Sequence, residues 1–207
     1  MTDPNYTALL LIIDRSGSMY TIRNEMVAGL RAMLDEQMAE PGMLTVDIVQ
    51  FDSIIEHTHA MADPATVTIE LDPRGATALL DAIGMAVQQF GGALAALPKH
   101  ARPETVQVVI VTDGQENSSQ EYTDDVIRDL ITHQTEKYGW DFVFLGANQD
   151  AVLTARHLGI DAESSMTYAA EPDKVTAANK SMSRYVTDVR RKRKMGFTET
   201  ERGEAAE

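Results

Sequence analysis

The sequence predicts a doubly wound α/β fold: a mostly parallel six-stranded sheet with helices on both faces. Two observations predict it. Leu9 to Ile13, Val106 to Val111 and Phe142 to Leu145 are near-continuous apolar runs bounded by polar or glycine-containing turns, the pattern of strands buried on both faces. Longer segments of helical period lie between and after them, and this alternation selects a parallel sheet wound by crossover helices.

The elements follow in order. After the first strand, Ile22, Met26, Leu30, Leu34 and Met38 recur every four residues and predict a helix. Leu44 to Phe51 and Ile54 to His59 flank Asp52-Ser53, which reads as a tight antiparallel hairpin at one sheet edge. Leu80, Ile83, Gly84 and Val87 form a second helical stripe that starts at Thr77. Val126, Ile127, Leu130 and Ile131 form a third, with Thr123 as N-cap, Asp124 and Asp125 in the first turn, and Gly139 past its end. Ala151 to Leu158 reads as a short helix, Ser165 to Tyr168 as a short last strand, and Lys174 to about Lys194 as a closing helix. Beyond Gly196 the chain turns small, polar and acidic, so residues 1–195 are expected to form one domain and 196–207 a flexible acidic tail.

Composition narrows the function. The 207 residues can bury a substantial core without covalent staples, and the absence of cysteine excludes disulfides, thiolate metal sites and thiol nucleophiles. The amino-terminal apolar run, Ala8 to Ile13, is too short for a secretory segment or a membrane span, and no lysine or arginine precedes it. A soluble, cytoplasmic protein without membrane association is the expectation. Net charge is −14, distributed as +5 over residues 171–194, −3 over 195–207 and −16 over the remainder. So acidic a body repels nucleic acid over long range. The run Arg190 to Lys194 is the local exception, and a solvated helix end favoured by the macrodipole is its simpler reading.

Three separated patches carry the chemistry. Asp14, Ser16 and Ser18 follow the first strand, Thr77 follows Gly75 at a helix start, and Asp113 follows the Val106 to Val111 strand. In an open parallel sheet the ligand crevice lies outside the carboxyl ends of the strands, so these distant loops can converge there. Two carboxylates and three hydroxyls make an all-oxygen set suited to Mg²⁺, with Mn²⁺ or Ca²⁺ as alternatives, and poorly suited to zinc or copper. Taken singly, each patch also fits helix capping and turn-amide bonding.

In these motifs the chain resembles a von Willebrand factor type A domain. The D-x-S-x-S element is Asp14, Ser16 and Ser18, the lone threonine is Thr77 in Gly-Ala-Thr-Ala-Leu-Leu-Asp-Ala, and the last acid is Asp113 in Thr-Asp-Gly. These fill the five positions of that family's metal-ion-dependent adhesion site, and the resemblance spans about residues 8–194. Thr-Asp-Gly-Gln-Glu-Asn-Ser-Ser and Phe-Leu-Gly-Ala-Asn-Gln-Asp-Ala look most like stand-alone bacterial and phage versions. The resemblance implies the sheet order 3-2-1-4-5-6 with the hairpin strand antiparallel at the edge. It also implies that Ser16, Ser18 and Thr77 bind Mg²⁺ directly or nearly so, that Asp14 and Asp113 act through waters, and that a protein partner's Asp or Glu completes the shell.

Other features rank lower. Asp81 and Glu116 are candidate outer acids, although hydrogen-bonded helix or loop carboxylates explain them as well, and Asn117 reads as loop-ordering. His57 and His59 have two-histidine metal spacing but no third ligand in support. No nucleotide-binding glycine loop, zinc-protease motif or nucleophile elbow occurs. Two alternatives to a binding module remain: a Mg²⁺-dependent phosphoryl-transfer enzyme and an RNA-associated module acting through Arg190 to Lys194. The first needs a second acid where Ser16 stands, and a serine is no general acid or base at neutral pH. A non-enzymatic, metal-dependent binding module is therefore the expectation.

Overall fold

The computed structural model describes residues 2–147 and 150–206. Six strands form one sheet: β1 (Asp3–Asp14), β2 (Met43–Phe51), β3 (Ile55–Ala62), β4 (Pro103–Thr112), β5 (Asp141–Ala147) and β6 (Ser165–Tyr168), in the order β3-β2-β1-β4-β5-β6. Only the β2–β3 pair among them is antiparallel, as the hairpin reading requires. Among the described residues six α-helices accompany the sheet: α1 (Arg23–Ala39), α2 (Leu79–Ala96), α3 (Asp124–Tyr138), α4 (Ala151–His157), α5 (Pro172–Arg190) and α6 (Glu199–Ala206).

Period-two alternation within the continuous apolar runs divides the core. Leu9, Leu11 and Ile13 of β1 join α1 and α5 on one face, while Ala8, Leu10 and Ile12 join α2, α3 and α4 on the other. Val109 and Val111 of β4, and Phe142 and Phe144 of β5, continue this division. The order of the sheet reverses between β1 and β4, so their carboxyl ends, at Asp14 and Thr112, open the crevice expected of a doubly wound sheet. α2 is long and apolar enough to cross a membrane, yet Leu79, Ile83, Val87 and Phe90 are buried against the sheet, making it a core helix.

Local departures have physical causes. Ile22, Met26, Leu30 and Leu34 are buried, but Met38 is exposed and Met33 and Gln37 replace it. A strict four-residue spacing advances about 40° per step on a helix of 3.6 residues per turn, so the stripe rotates out of the core. Thr123 and Gly139 flank α3 as expected, Gly139 in the left-handed conformation at φ 69°. α2 begins at Leu79, leaving Thr77 in the preceding loop.

The carboxyl terminus corrects the flexible-tail expectation. Residues 199–206 form α6, which packs against α5 and β6. Phe197 is buried, its ring centre lies 5.1 Å from that of Tyr185, and the guanidinium groups of Arg184 and Arg202 approach its ring to 6.0 and 5.9 Å. Arg202 donates to the carbonyls of Ser165 (2.6 Å) and Ala162 (2.8 Å), Ala169 N donates to Ala205 O, and Arg184 pairs with Glu201. α6 thus covers edge strand β6 largely through arginine–carbonyl bonds, which hydropathy does not register.

The basic run is an exposed helix end, as read from the sequence, but most of its charges are also paired within the fold. α5 stops at Arg190, and the following residues turn back on the fold. Arg190 donates to Gln37 O, Arg191 pairs with Glu40, Lys192 with Glu104 and Thr105, and Lys194 with Asp141 at 2.7 Å. Phe197→Ala is expected to destabilise the protein by about 3 kcal/mol in urea unfolding. A loss below about 0.5 kcal/mol would return the terminus to the status of a loose appendage.

Candidate metal centre

Asp14 and Asp113 stand at the ends of neighbouring parallel strands, and a relay of hydroxyls joins them. Ser16 N donates to Asp14 Oδ1 and Thr112 Oγ1 to Asp14 Oδ2, each at 2.6 Å. Ser18 Oγ donates to Asp113 Oδ1 at 2.6 Å; its hydrogen thus committed, it accepts from Ser16 Oγ at 3.1 Å. Asp14 and Ser16 are buried, whereas Ser18 is exposed and forms the mouth of the cluster.

Thr77 arrives on a loop stitched to both neighbours. Gly17 N donates to Gly75 O (3.4 Å), Arg74 N to Arg15 O (2.8 Å), and Ala78 N to Asp52 O (3.1 Å). Gly75 has φ +68°, a conformation that side chains resist. A methyl group added at Gly114 would lie 2.8 Å from Thr77 Oγ1 and 3.7 Å from Asp14 Oδ2, so the threonine hydroxyl and the Asp14 carboxylate border one small space above Gly114. The five oxygen-bearing residues named from sequence therefore come together.

The other two acids go elsewhere. Asp81 accepts from the backbone amides of Gln120, Glu121 and Tyr122 (2.8–2.9 Å), and Glu116 from those of Leu80, Ser118 and Ser119 (2.7–3.0 Å). Both carboxylates fasten the loop after β4 to the start of α2, the hydrogen-bonded alternative weighed from sequence. Asn117 positions Thr77 directly: its Oδ1 accepts from Thr77 N at 2.9 Å and its N donates to Thr77 O at 3.1 Å. His57 and His59 are separated by a register shift in β3; His57 Nε2 meets buried Asp47 at 2.9 Å, and His59 Nδ1 meets Thr58 Oγ1.

Two features escaped the sequence reading. Thr112, beside the named acid, is the hydroxyl that holds Asp14. Arg15, within the D-x-S-x-S element, turns its buried side chain away from the cluster to Asp52 (2.9 Å) and Glu56 (2.6 Å), with Arg74 bridging the same two acids. This network clamps the β2–β3 turn against the Thr77 loop.

The electrostatics follow from burial without compensation. Burial pushes the Asp14 carboxyl above its ordinary value against the pull of Thr112 and Ser16. Asp113 is pushed up to about 6, first by burial and further by the Asp14 charge, with the Ser18 hydrogen bond opposing. No cationic side chain contributes to either shift. Two uncompensated acids with three hydroxyls fit a hard divalent cation by charge and donor type. Among the described residues no group of three or more His, Cys, Asp or Glu forms a metal cluster, because three of the five donors here are hydroxyls.

Thr112→Val removes a donor from a buried carboxylate and is expected to cost about 1–3 kcal/mol at pH 7.5 in EDTA. The sign with pH follows from Asp14, whose folded-state value burial raises: as the pH falls it takes up a proton more readily than an exposed carboxyl, and a neutral acid loses less with its Thr112 donor, so the cost is smaller at pH 5. Equal losses at both pH values, measured by chemical unfolding, would contradict this electrostatic reading.

No protein-family model matches the chain, nor does any curated protein sequence. Solved structures do. Proximal thread matrix protein 1 of the mussel byssus, in a structure described as having a zinc-occupied MIDAS motif, is similar at 16% identity and TM-score 0.64, over 89% of this chain and 46% of that one. The ArnB paralogue VWA2 of Sulfolobus acidocaldarius is similar at 14% identity and TM-score 0.57, over 86% and 44%. A von Willebrand factor type A structure from Catenulispora acidiphila is similar at 16% and 0.58, over 87% and 42%. The chain thus spans less than half the length of each of these three proteins. At such identities the likeness speaks for architecture: the chain has the fold of a von Willebrand factor type A domain.

Proposed function

We propose that this chain is a divalent-cation-dependent protein-recognition domain. Asp14, Ser16, Ser18, Thr77 and Asp113 hold the ion, and an Asp or Glu carboxylate of a protein partner completes its shell. One observation carries this reading: two buried carboxylates share a hydroxyl relay with no cationic side chain to neutralise them. Bound there, the ion supplies positive charge at a point on an acidic protein, so an acidic partner docks only where the local sign is reversed. The chain's own part is to present that charge at the exposed Ser18 and to hold Thr77 through Asn117.

The mussel structure with its zinc-occupied motif supports divalent-metal binding as a property of this fold's site. For this chain, all-oxygen donors favour Mg²⁺, with Mn²⁺ or Ca²⁺ as alternatives. A phosphoryl-transfer reading lacks its general acid and base, since Ser16 occupies that place. An RNA-binding reading is weakened by the internal bonds of Arg190, Arg191, Lys192 and Lys194.

Mg²⁺ at a hundred times its dissociation constant is expected to stabilise the wild type by about 2.7 kcal/mol. Asp14→Ala and Thr77→Ala are expected to lose most of that gain while remaining folded by circular dichroism. A pull-down with and without EDTA tests recognition: a partner retained equally in EDTA, or by both variants, would refute metal-dependent capture.

A further inference from the structure

A groove lies between α1 and residues 69–71, and the chain segments that form its two walls carry two of the metal motifs close by in sequence. One wall continues Ser18 through Tyr20 into the first turns of α1; the other, Ile69 to Leu71, runs on to Gly75 and Thr77. Arg23, Val27 and Arg31 recur at four-residue spacing on the α1 wall, and the hollow measures about 480 Å³. Tyr20 stands at its head, 67% exposed, with the Arg23 guanidinium 5.4 Å from its ring centre.

Two arginines, Arg23 and Arg31, line this groove in a protein of net charge −14. Among the described residues, Arg23 and Arg31 have no acid within ion-pair distance: Arg23 lies over Tyr20, and Arg31 donates to Ile69 O at 2.9 Å. Glu70 is the acid that lines the opposite wall, so the groove carries an excess of one positive charge. This basic strip on an acidic body is complementary to an acidic segment.

We propose that the groove between α1 and residues 69–71 binds an extended acidic segment of the protein partner whose first carboxylate is held at the metal centre. The inference rests on the metal-dependent reading above and adds a second anchor to it. Arg23 and Arg31, eight residues apart on a helix, are separated by about 12 Å along its axis. An extended chain advances about 3.3 Å per residue. Acidic side chains spaced about four residues apart therefore match the arginines, and Tyr20 offers a flat apolar surface between the metal and the first of them.

The test is selection of a random twelve-residue peptide library, displayed on phage, against the intact protein in Mg²⁺ with elution by EDTA. The expected outcome is enrichment of one acidic position together with further acids at about four-residue spacing. Arg23→Ala, whose side chain stacks only on Tyr20, is expected to weaken a selected peptide about two- to fivefold, with less effect in high salt. Glu70→Gln is expected to tighten it by a similar factor. Enrichment of a single acid, or peptides indifferent to both substitutions, would overturn the groove while leaving metal-dependent capture standing. No EDTA-released peptide at all would overturn both, and competition by a single-stranded oligonucleotide stronger than by an acidic peptide would reassign the strip to nucleic acid.

Discussion

Everything around the crevice is arranged so that two carboxylates can be buried within reach of each other without a cation from the protein. Asp14 and Asp113 share this arrangement because β1 and β4 are adjacent and parallel and both end at the point where the sheet order reverses. Removing two charges from water is costly unless they gain donors or opposite charge. The chain supplies Thr112, Ser16 and Ser18 as donors and leaves the charge unbalanced. The remaining imbalance is what the proposed divalent ion would offset.

Precision at this position comes from bonds outside it. The Arg15–Asp52–Glu56–Arg74 network, the Gly17–Gly75 backbone contact and the Asn117 clamp hold three loops of widely separated sequence in one register. Glu116 and Asp81 extend the same bracing to the start of α2 through six backbone amides. Anionic side chains here act as fasteners of loops, and only two of the nearby acids are left for a cation.

The strands and the five oxygen-bearing residues were legible in the sequence because both leave a local mark. Continuous apolar runs report burial on two faces, and polar residues placed directly after them report the carboxyl ends of strands. Asn117 was legible only as a loop-ordering residue and Thr112 not at all, since an amide in a loop and a threonine ending a strand are ordinary until their partners forty and ninety-eight residues away are known. α6 was invisible for another reason: apart from Phe197 and Ala205 its attachment is polar, made by Arg202 and Glu201. A run of small acidic residues reads as a tail unless the receiving carbonyls of Ala162 and Ser165 are in view. The stretch containing Asn148 and Gln149, quoted for its bacterial and phage resemblance, lies outside the described residues in part.

The most direct measurement is anomalous diffraction from crystals of the protein grown with Mn²⁺. A single strong peak is expected among Asp14, Ser16, Ser18, Thr77 and Asp113, abolished in Asp14→Ala. Peaks elsewhere only, or a peak that survives that substitution, would contradict it.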